Sequence, residues 1–430
     1  MTGAAAPLPR RLLPDTAEVD ATGGLVIGGV PVAELSARFG TPLFVYDEDH
    51  LRARCREAVR AWGDGVAYAT KAFLCRAMAS LAHEEGMQLD VATGGELHVA
   101  LASGVPAGRI VLHGNNKSEA ELEMGLRAGV GRIVVDSFDE IERLTRLAPA
   151  LGVVPKVLLR CTPGVEAHTH EYVATGQDDS KFGLTVSTGA ASEAVALLRA
   201  PGSGVDLVGL HAHIGSNVFL ASSYAKAATV LAEMAIPLDL PELVVGGGLG
   251  VAYVADEEAP TITEWAESAL DALREAGLPS HVRVGAEPGR AIVAAAAVTV
   301  YQVGTIKRLP GIRTYVAVDG GMSDNPRPVL YGSGYEAFLP RAVDAPRPLV
   351  AHVVGKHCES GDLLVRDAHL PEDLTVGDLL ATPVTGAYGH SMGSSYNKVL
   401  RPPVVFVGAG RARVVVRREG YDDLLTLDLG

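Results

Sequence analysis

Residues 242–250 read ELVVGGGLG, a short β-forming run that ends in a glycine-rich turn. Runs of this kind, each followed by a turn, occur eight times from residue 66 onward. They are VAYATK (66–71), QLDVATGG (88–95), RIVLHGNN (109–116), RIVVDS (132–137), KVLLRCTPG (156–164), DLVGLHAHIGS (206–216), ELVVGGGLG (242–250) and VRVGAEPGR (282–290). Amphipathic stretches such as SEAELEMGLRAG lie between them. Eight alternating strand and helix units predict a (β/α)8 barrel, in which the loops after the strands build the active site.

The pattern changes after about residue 295. Runs such as AAVTVYQVGTI and RARVVVRRE are β-type, and few helical patterns separate them. The early segment GGLVIGGVPVAELSARFGTPLFVYD also contains strand-like runs. We therefore predict an α/β fold: a TIM-type barrel at residues 47–294, followed by a mostly β C-terminal domain at 295–430, which the N-terminal segment 1–46 completes.

Composition excludes several classes of protein. The chain has 430 residues with 51 acidic and 37 basic side chains, and no basic run long enough to follow a nucleic-acid backbone. The first twenty residues lack an apolar run of signal-peptide length, and no later segment has 18 or more apolar residues in a row, so we expect a cytoplasmic protein with neither nucleic-acid nor membrane partners. The four cysteines show no CxxC spacing, and reduced thiols are expected.

Lys71 ends the first predicted strand, in YATKAF, where its side chain would point into the mouth of the barrel. A solvated surface lysine is the simplest interpretation of this residue alone. A desolvated lysine could instead form a Schiff base, because loss of hydration lowers its pKa and frees the amine lone pair.

Two later turns suit an anionic group. Gly246, Gly247 and Gly248 follow the seventh strand, and AEPGR follows the eighth. Glycines let backbone N–H groups approach phosphate oxygens, and barrels often bind phosphate at these two loops. A phosphorylated ligand is therefore favoured.

Glu287 and His213 extend this interpretation. A carboxylate at the end of the eighth strand, such as that of Glu287, needs a cation or a proton donor, and a protonated pyridine nitrogen would serve. His213, on the sixth strand, could lie flat against the face of such a ring. Together with Lys71 and the glycine turn, these groups meet the needs of a pyridoxal phosphate site.

A metal site is the alternative. In HAH, His211 and His213 have the i, i+2 spacing that places two side chains on one side of a strand, as in metal-dependent barrel hydrolases. His168 and His170 could supply further ligands from a loop. We expect His211 instead to be a packed, hydrogen-bonded neighbour of the site and predict no metal.

Eight segments carry a family resemblance when taken in order. They are YATKAF, HTHEYVATGQDDSKFG, HAHIGSN, GGGLG, EPGRAIV, VDGGMSDNPRPVLY, GKHCESGD and TGAYGHSMGSSYN. Across about residues 25 to 420, the chain resembles the diaminopimelate decarboxylases, pyridoxal phosphate enzymes of the alanine-racemase-like fold type III. The resemblance implies a homodimer with shared active sites, in which Cys358 reaches the partner's site as a proton donor.

The resemblance also implies individual roles. Lys71 would bind the cofactor covalently, Glu287 would meet the pyridine nitrogen and His213 would stack on the ring. The other cofactor-binding residues would be Ser216, Gly246, Gly247, Gly248, Pro288, Gly289, Arg290 and Tyr388. The substrate-binding residues would be Arg290, Arg327, Tyr331, Glu359 and Tyr388.

The implied reaction removes the D-centre carboxylate of meso-2,6-diaminopimelate and gives L-lysine and CO2, a step of lysine biosynthesis. The segment after Tyr388 departs from the family pattern at Gly389-His390 and at Gly393. A paralogous decarboxylase of ornithine, lysine or a carrier-bound amino acid is therefore an alternative. A catalytically inactive regulatory relative is disfavoured by the presence of Lys71, Glu287 and Cys358.

Overall fold

The computed structural model describes residues 6–165, 178–213, 215–219 and 221–430. The chain divides into two compact units. The barrel unit comprises Arg54–Val251 and Ala259–Ala291, and the β-rich unit comprises Met1–Ala53, Ala252–Glu258 and Ile292–Gly430. Our domain boundaries, after residues 46 and 294, stay a prediction.

Within the described residues, the strands are β1 (Glu18–Val19), β2 (Leu25–Ile27), β3 (Val30–Pro31), β4 (Leu43–Asp47), β5 (Ala67–Ala69), β6 (Gln88–Val91), β7 (Ile110–Leu112), β8 (Arg132–Val135), β9 (Lys156–Thr162), β10 (Leu184–Thr185), β11 (Asp206–His211), β12 (Glu242–Val244), β13 (Arg283–Gly285), β14 (Ala297–Leu309), β15 (Arg313–Val318), β16 (Leu349–Val354), β17 (Leu363–Leu370), β18 (Leu379–Pro383), β19 (Val404–Gly408) and β20 (Arg411–Val416). The α-helices are α1 (Val32–Phe39), α2 (Glu48–Trp62), α3 (Arg76–Glu84), α4 (Gly94–Ala102), α5 (Glu119–Ala128), α6 (Phe138–Ala150), α7 (Ala190–Leu198), α8 (Ala221–Ala235), α9 (Ile262–Glu275), α10 (Arg290–Val293) and α11 (Arg327–Tyr331).

The barrel unit contains a parallel sheet in the order β13-β12-β11-β9-β8-β7-β6-β5. A bridge between Val66 and Ala286 joins its first and last strands and closes the barrel. All eight strands predicted from the sequence are present, and the predicted fold class is confirmed. They read as apolar runs because helices cover the outside of a parallel barrel while side chains fill its inside.

Side chains from several strands fill the barrel interior. Val111, Val134, Leu158 and Val208 form a buried cluster, with Val244 packed against it. Each of these five residues comes from a different strand, β7, β8, β9, β11 and β12. Close packing of these side chains fixes the strands relative to one another, so the loops that follow them are attached to a rigid barrel.

Two helices of the barrel unit begin at the positions that their sequences indicate. Ser118 caps α5: its side chain accepts a hydrogen bond from the N–H of Glu121. The Glu121 carboxylate in turn accepts one from the N–H of Ser118. Thr261 and Glu264 form the same capping box at α9. This exchange satisfies N–H groups that have no partner within the first turn of a helix. Helix α5 ends at Ala128 and is capped by Gly129, which has a left-handed conformation with φ 72°.

The β-rich unit is built around β14, which pairs with β4, β15 and β18. Its main sheet has the order β17-β16-β15-β14-β4-β19-β20. Strand β4 comes from the N-terminal segment, is buried along its whole length, and lies between β14 and β19. The N-terminal segment therefore completes this sheet, as predicted. No helix among the described residues is both long and apolar enough to cross a membrane.

Candidate active site

The predicted cofactor-binding residues of the barrel unit follow four different strands. Lys71 is exposed in the short turn Thr70–Ala72, directly after β5. His213 follows β11, the glycine turn 246–248 follows β12, and Glu287 follows β13. Because the carboxyl ends of parallel barrel strands meet at one mouth, these groups lie at the same end of the barrel.

Glu287 is buried between two imidazoles. His211 Nε2 donates a hydrogen bond to Glu287 Oε2 at 2.9 Å, and His113 Nε2 lies 2.9 Å from Oε1. Burial alone would raise the pKa of Glu287, but His113 and His211 outweigh it and hold that pKa well below its usual value. The site therefore offers an ionised carboxylate, which suits a cation such as a protonated pyridine nitrogen.

The two histidines of HAH have different partners. His211 is fully buried against Glu287, which confirms that it is a packed, hydrogen-bonded neighbour. His213 accepts a hydrogen bond at Nδ1 from the N–H of Gly247, at 3.1 Å. Burial, together with the charges of Lys71 and Arg160, lowers the pKa of His213 well below its usual value. His213 is thus a neutral ring held in place, as stacking requires.

Among the described residues, His211 and His213 do not together form a group that could hold a metal ion. In the described part of the chain, the side chains close enough together to hold a metal ion are those of His113, His211 and Glu287. His213 is not in this group, and His168 and His170 lie outside the described residues. The histidines of the group approach the carboxylate itself, so hydrogen bonding and ion pairing account for their arrangement.

The glycine turn packs backbone against backbone. A Cβ on Gly247 would lie 2.0 Å from the carbonyl oxygen of Glu287, and one on Gly248 would lie 1.8 Å from that of Gly215. Gly246 and Gly248 have φ values of 75° and 97°, which also favour glycine. The N–H of Val218 donates to the oxygen of Gly248 at 2.9 Å, which joins this turn to the loop containing Ser216.

The loop after β13 contacts the strand that leads to Lys71. Pro288 accepts a hydrogen bond from the N–H of Ala69 at 3.2 Å, and a Cβ on Gly289 would lie 2.8 Å from the oxygen of Ala69. Arg290, the first residue of α10, is buried. Glycine turns without side chains, an ionised carboxylate, a fixed neutral imidazole and an amine at one mouth fit pyridoxal phosphate.

Among the buried polar residues of the barrel that the sequence interpretation missed are three that interact with Glu287 or its neighbours. Asp90 lies in β6, His113 directly follows β7 and Arg160 lies in β9. Each is a polar residue in or directly after a buried strand. Lys71 and Glu287 were identified in the sequence by this same feature. Arg160 lies over the ring of Phe182, with 4.4 Å between guanidinium carbon and ring centroid. The same signal, applied to every strand, would have included all three.

Arg327 and Tyr331, predicted to bind substrate, begin and end α11 in the β-rich unit. Arg327 is buried and donates from Nη1 to the Tyr335 hydroxyl at 2.6 Å. Its guanidinium also lies 4.2 Å from the centroid of the Tyr253 ring. The side chains of Tyr253 and Tyr335 thus hold the planar guanidinium in one orientation. Tyr331, at the other end of α11, is half-buried.

The turn 355–362 presents Cys358 and Glu359, and both are exposed. The carboxylate of Asp362 accepts hydrogen bonds from the N–H groups of His357 at 2.9 Å and Met322 at 2.6 Å. The N–H of Cys358 donates to Asn397 Oδ1 at 3.0 Å. Hydrogen bonds to the loops that contain Met322 and Asn397 therefore fix the position of this turn, which exposes the Cys358 side chain.

Tyr388 and the departures that follow it lie in one loop of the β-rich unit. Tyr388 is half-buried and has φ 59°, an uncommon conformation for an aromatic residue. His390 contacts the Phe44 ring edge-on, and burial lowers its pKa to about 4. A Cβ on Gly393 would lie 3.0 Å from the oxygen of Ser323. Gly393 therefore allows close packing, and His390 is neutral near pH 7.

Comparisons with known proteins agree with this geometry. Residues 48–294 match the family model of the pyridoxal-dependent decarboxylase, pyridoxal binding domain. The diaminopimelate decarboxylase of Mycobacterium tuberculosis is 48% identical, over 95% of this chain and 96% of that protein. The diaminopimelate decarboxylase of Bacillus subtilis is 44% identical, over 95% of each chain.

A solved structure gives the same result. The crystal structure of diaminopimelate decarboxylase from M. jannaschii in complex with L-lysine superposes with a TM-score of 0.89 at 33% identity. The match covers 97% of this chain and 98% of that one. The family predicted from the sequence motifs is confirmed: this chain belongs to the diaminopimelate decarboxylases, within the pyridoxal-dependent decarboxylases.

Proposed function

We propose that this chain decarboxylates meso-2,6-diaminopimelate at its D-centre to give L-lysine and CO2, with pyridoxal phosphate as cofactor. The observation that carries the proposal is the buried, ionised Glu287 at a barrel mouth that also holds Lys71 and the fixed ring of His213. The substrate assignment rests on the relatives, which are named diaminopimelate decarboxylase at 43–48% identity over nearly the whole chain.

Residues of the barrel unit would hold the cofactor. Lys71 Nζ would supply the amine for its covalent attachment. Ser216, the glycine turn 246–248, Gly289 and Arg290 would hold its phosphate, and His213 would stack on its ring. When bound, pyridoxal phosphate supplies a ring that draws electrons from Cα as CO2 leaves. Glu287 keeps a proton on the pyridine nitrogen, because an ionised carboxylate stabilises the adjacent cation.

Residues of the β-rich unit would select the substrate. Arg327 pairs with a carboxylate, since its guanidinium can donate two parallel hydrogen bonds and the rings of Tyr253 and Tyr335 already hold its orientation. Tyr331 and Tyr388 would contribute further polar contacts to the substrate, as would Arg290 of the barrel unit. Glu359 meets the distal amino group, and its exposure leaves the carboxylate available for this contact.

The active enzyme would be a cytoplasmic homodimer in which the Cys358 thiol donates a proton in the partner's site. Cys358 is exposed on a turn that hydrogen bonds hold in place. In the same unit, a cavity of about 580 Å³ is lined by Ser360 and Gly361 of that turn and by Val329. Val329 and Leu330 of α11 are exposed apolar residues, which a second chain would cover in the proposed dimer.

Substrate selectivity tests the assignment. We expect turnover of meso-diaminopimelate with little or no turnover of L-lysine or L-ornithine. A substrate without the second carboxylate would leave the buried Arg327 without its anionic partner, and unpaired buried charges are costly. The measurement is kcat/KM for CO2 release from each amino acid. Equal or faster turnover of ornithine would refute the substrate assignment but leave the cofactor assignment intact.

A further inference from the structure

We propose that His113 is a positioning residue: as an imidazolium between the carboxylates of Asp90 and Glu287, it keeps Glu287 ionised and fixes the direction of that carboxylate. The inference deepens the proposed function, because it rests on the role given there to Glu287. His113 itself would not touch the substrate or the reacting atoms.

The geometry places the imidazole between two acids. His113 Nε2 lies 2.9 Å from Glu287 Oε1 and 3.6 Å from Asp90 Oδ1. All three side chains are buried, and the backbone N–H of His113 donates to the oxygen of Val91 at 2.7 Å, which anchors the residue to β6. The backbone of His113 is therefore fixed at the end of β6, and its buried ring lies between the two carboxylates.

Charge balance favours the protonated ring. With a neutral His113, the buried carboxylates of Asp90 and Glu287 would repel each other, and among the described residues only the charges of Arg160 and Lys71 would offset that repulsion. Burial disfavours the imidazolium, and so does Arg160, but Asp90 and Glu287 outweigh both and raise the pKa of His113. Burial raises the pKa of Asp90 to about 6, although His113 and Lys71 act in the opposite direction.

His211 provides the internal comparison. Its ring lies 5.0 Å from that of His113 and donates to the other oxygen of the same carboxylate. Burial lowers the pKa of His211, so this ring is a neutral donor. One oxygen of Glu287 thus receives a neutral hydrogen bond and the other faces a cation. Loss of the cation should raise the pKa of Glu287, whereas loss of the neutral donor should have a smaller effect.

The matched variants are His113→Gln and His211→Gln, which each replace an imidazole by an amide donor. The readouts are the dissociation constant of pyridoxal phosphate from the apoenzyme between pH 6 and 9 and the acid limb of the kcat/KM profile. For His113→Gln we expect roughly tenfold weaker cofactor binding near neutral pH and an acid limb moved upward by about one pH unit. For His211→Gln we expect a distinctly smaller upward movement of the acid limb, because an amide donor replaces a neutral donor.

Identical pH profiles for the two variants, or a His113→Gln protein that binds the cofactor like the wild type, would overturn the proposal. ¹⁵N chemical shifts of the histidine rings in the wild-type protein test it without any substitution. At pH 7 we expect both ring nitrogens of His113 to carry a proton and His211 to be neutral. A neutral His113 would also overturn it. A wild-type protein that fails to bind pyridoxal phosphate would instead refute the proposed function.

Discussion

Lys71→Ala protein is expected to lose at least roughly a thousandfold of its decarboxylase activity and to be colourless, because it has no amine after β5 to bind the cofactor covalently. The wild-type protein should be yellow, and borohydride should bleach it. After reduction, mass spectrometry of the peptides should find the cofactor attached to Lys71. Absorption spectra and rates of CO2 release from wild type and variant are the measurements.

The chain offers a matched control for this change. Lys156 is an exposed lysine at the first residue of β9, the strand end opposite the barrel mouth. Lys156→Ala should keep the colour and the activity of the wild type. Attachment of the cofactor to another lysine, or a coloured and active Lys71→Ala protein, would contradict the assignment of Lys71.

Mixing Lys71→Ala and Cys358→Ala proteins is expected to restore activity. If each site combines Lys71 of one chain with Cys358 of its partner, both homodimers are impaired at both sites. A mixed dimer has one site with both lesions and one site with neither. Random reassortment of equal amounts makes half of the dimers mixed, so activity should rise to roughly a quarter of the wild-type value.

The experiment mixes the two variants under conditions that allow subunits to exchange and follows CO2 release over time. Native mass spectrometry of the mixture provides the control that mixed dimers have formed. No recovery despite proven exchange would mean that Cys358 acts within its own chain or has no catalytic role. That result would leave the role of Lys71 unaffected.

The sequence predicted the barrel because its signal is local. Each strand of a parallel barrel is buried on both faces and reads as a short apolar run, and capping residues such as Ser118 and Thr261 mark where helices begin. The place of β4 in the β-rich unit was also predictable, because LFVYD is a strand-like run that precedes the first barrel unit. The order of strands in the β-rich sheet was not, since β4 and β14 are far apart in the sequence.

Individual residues of the site were predicted from the sequence, but the contacts between them were not. Lys71, His213 and Glu287 each stand at a strand end, where a single polar residue is visible in the sequence. The approach of His113 to Glu287 depends on how the barrel brings β7 and β13 together across its mouth. The hydrogen bond from Cys358 to Asn397 likewise joins two loops that no local pattern connects.

The most direct test of the central claim is to incubate the purified protein and pyridoxal phosphate with meso-diaminopimelate, and to measure CO2 together with the enantiomer of the lysine formed. We predict one L-lysine for each CO2, with no D-lysine, because decarboxylation at the D-centre leaves the L-centre untouched. An absence of CO2 from protein that carries the cofactor, or formation of D-lysine, would contradict the account.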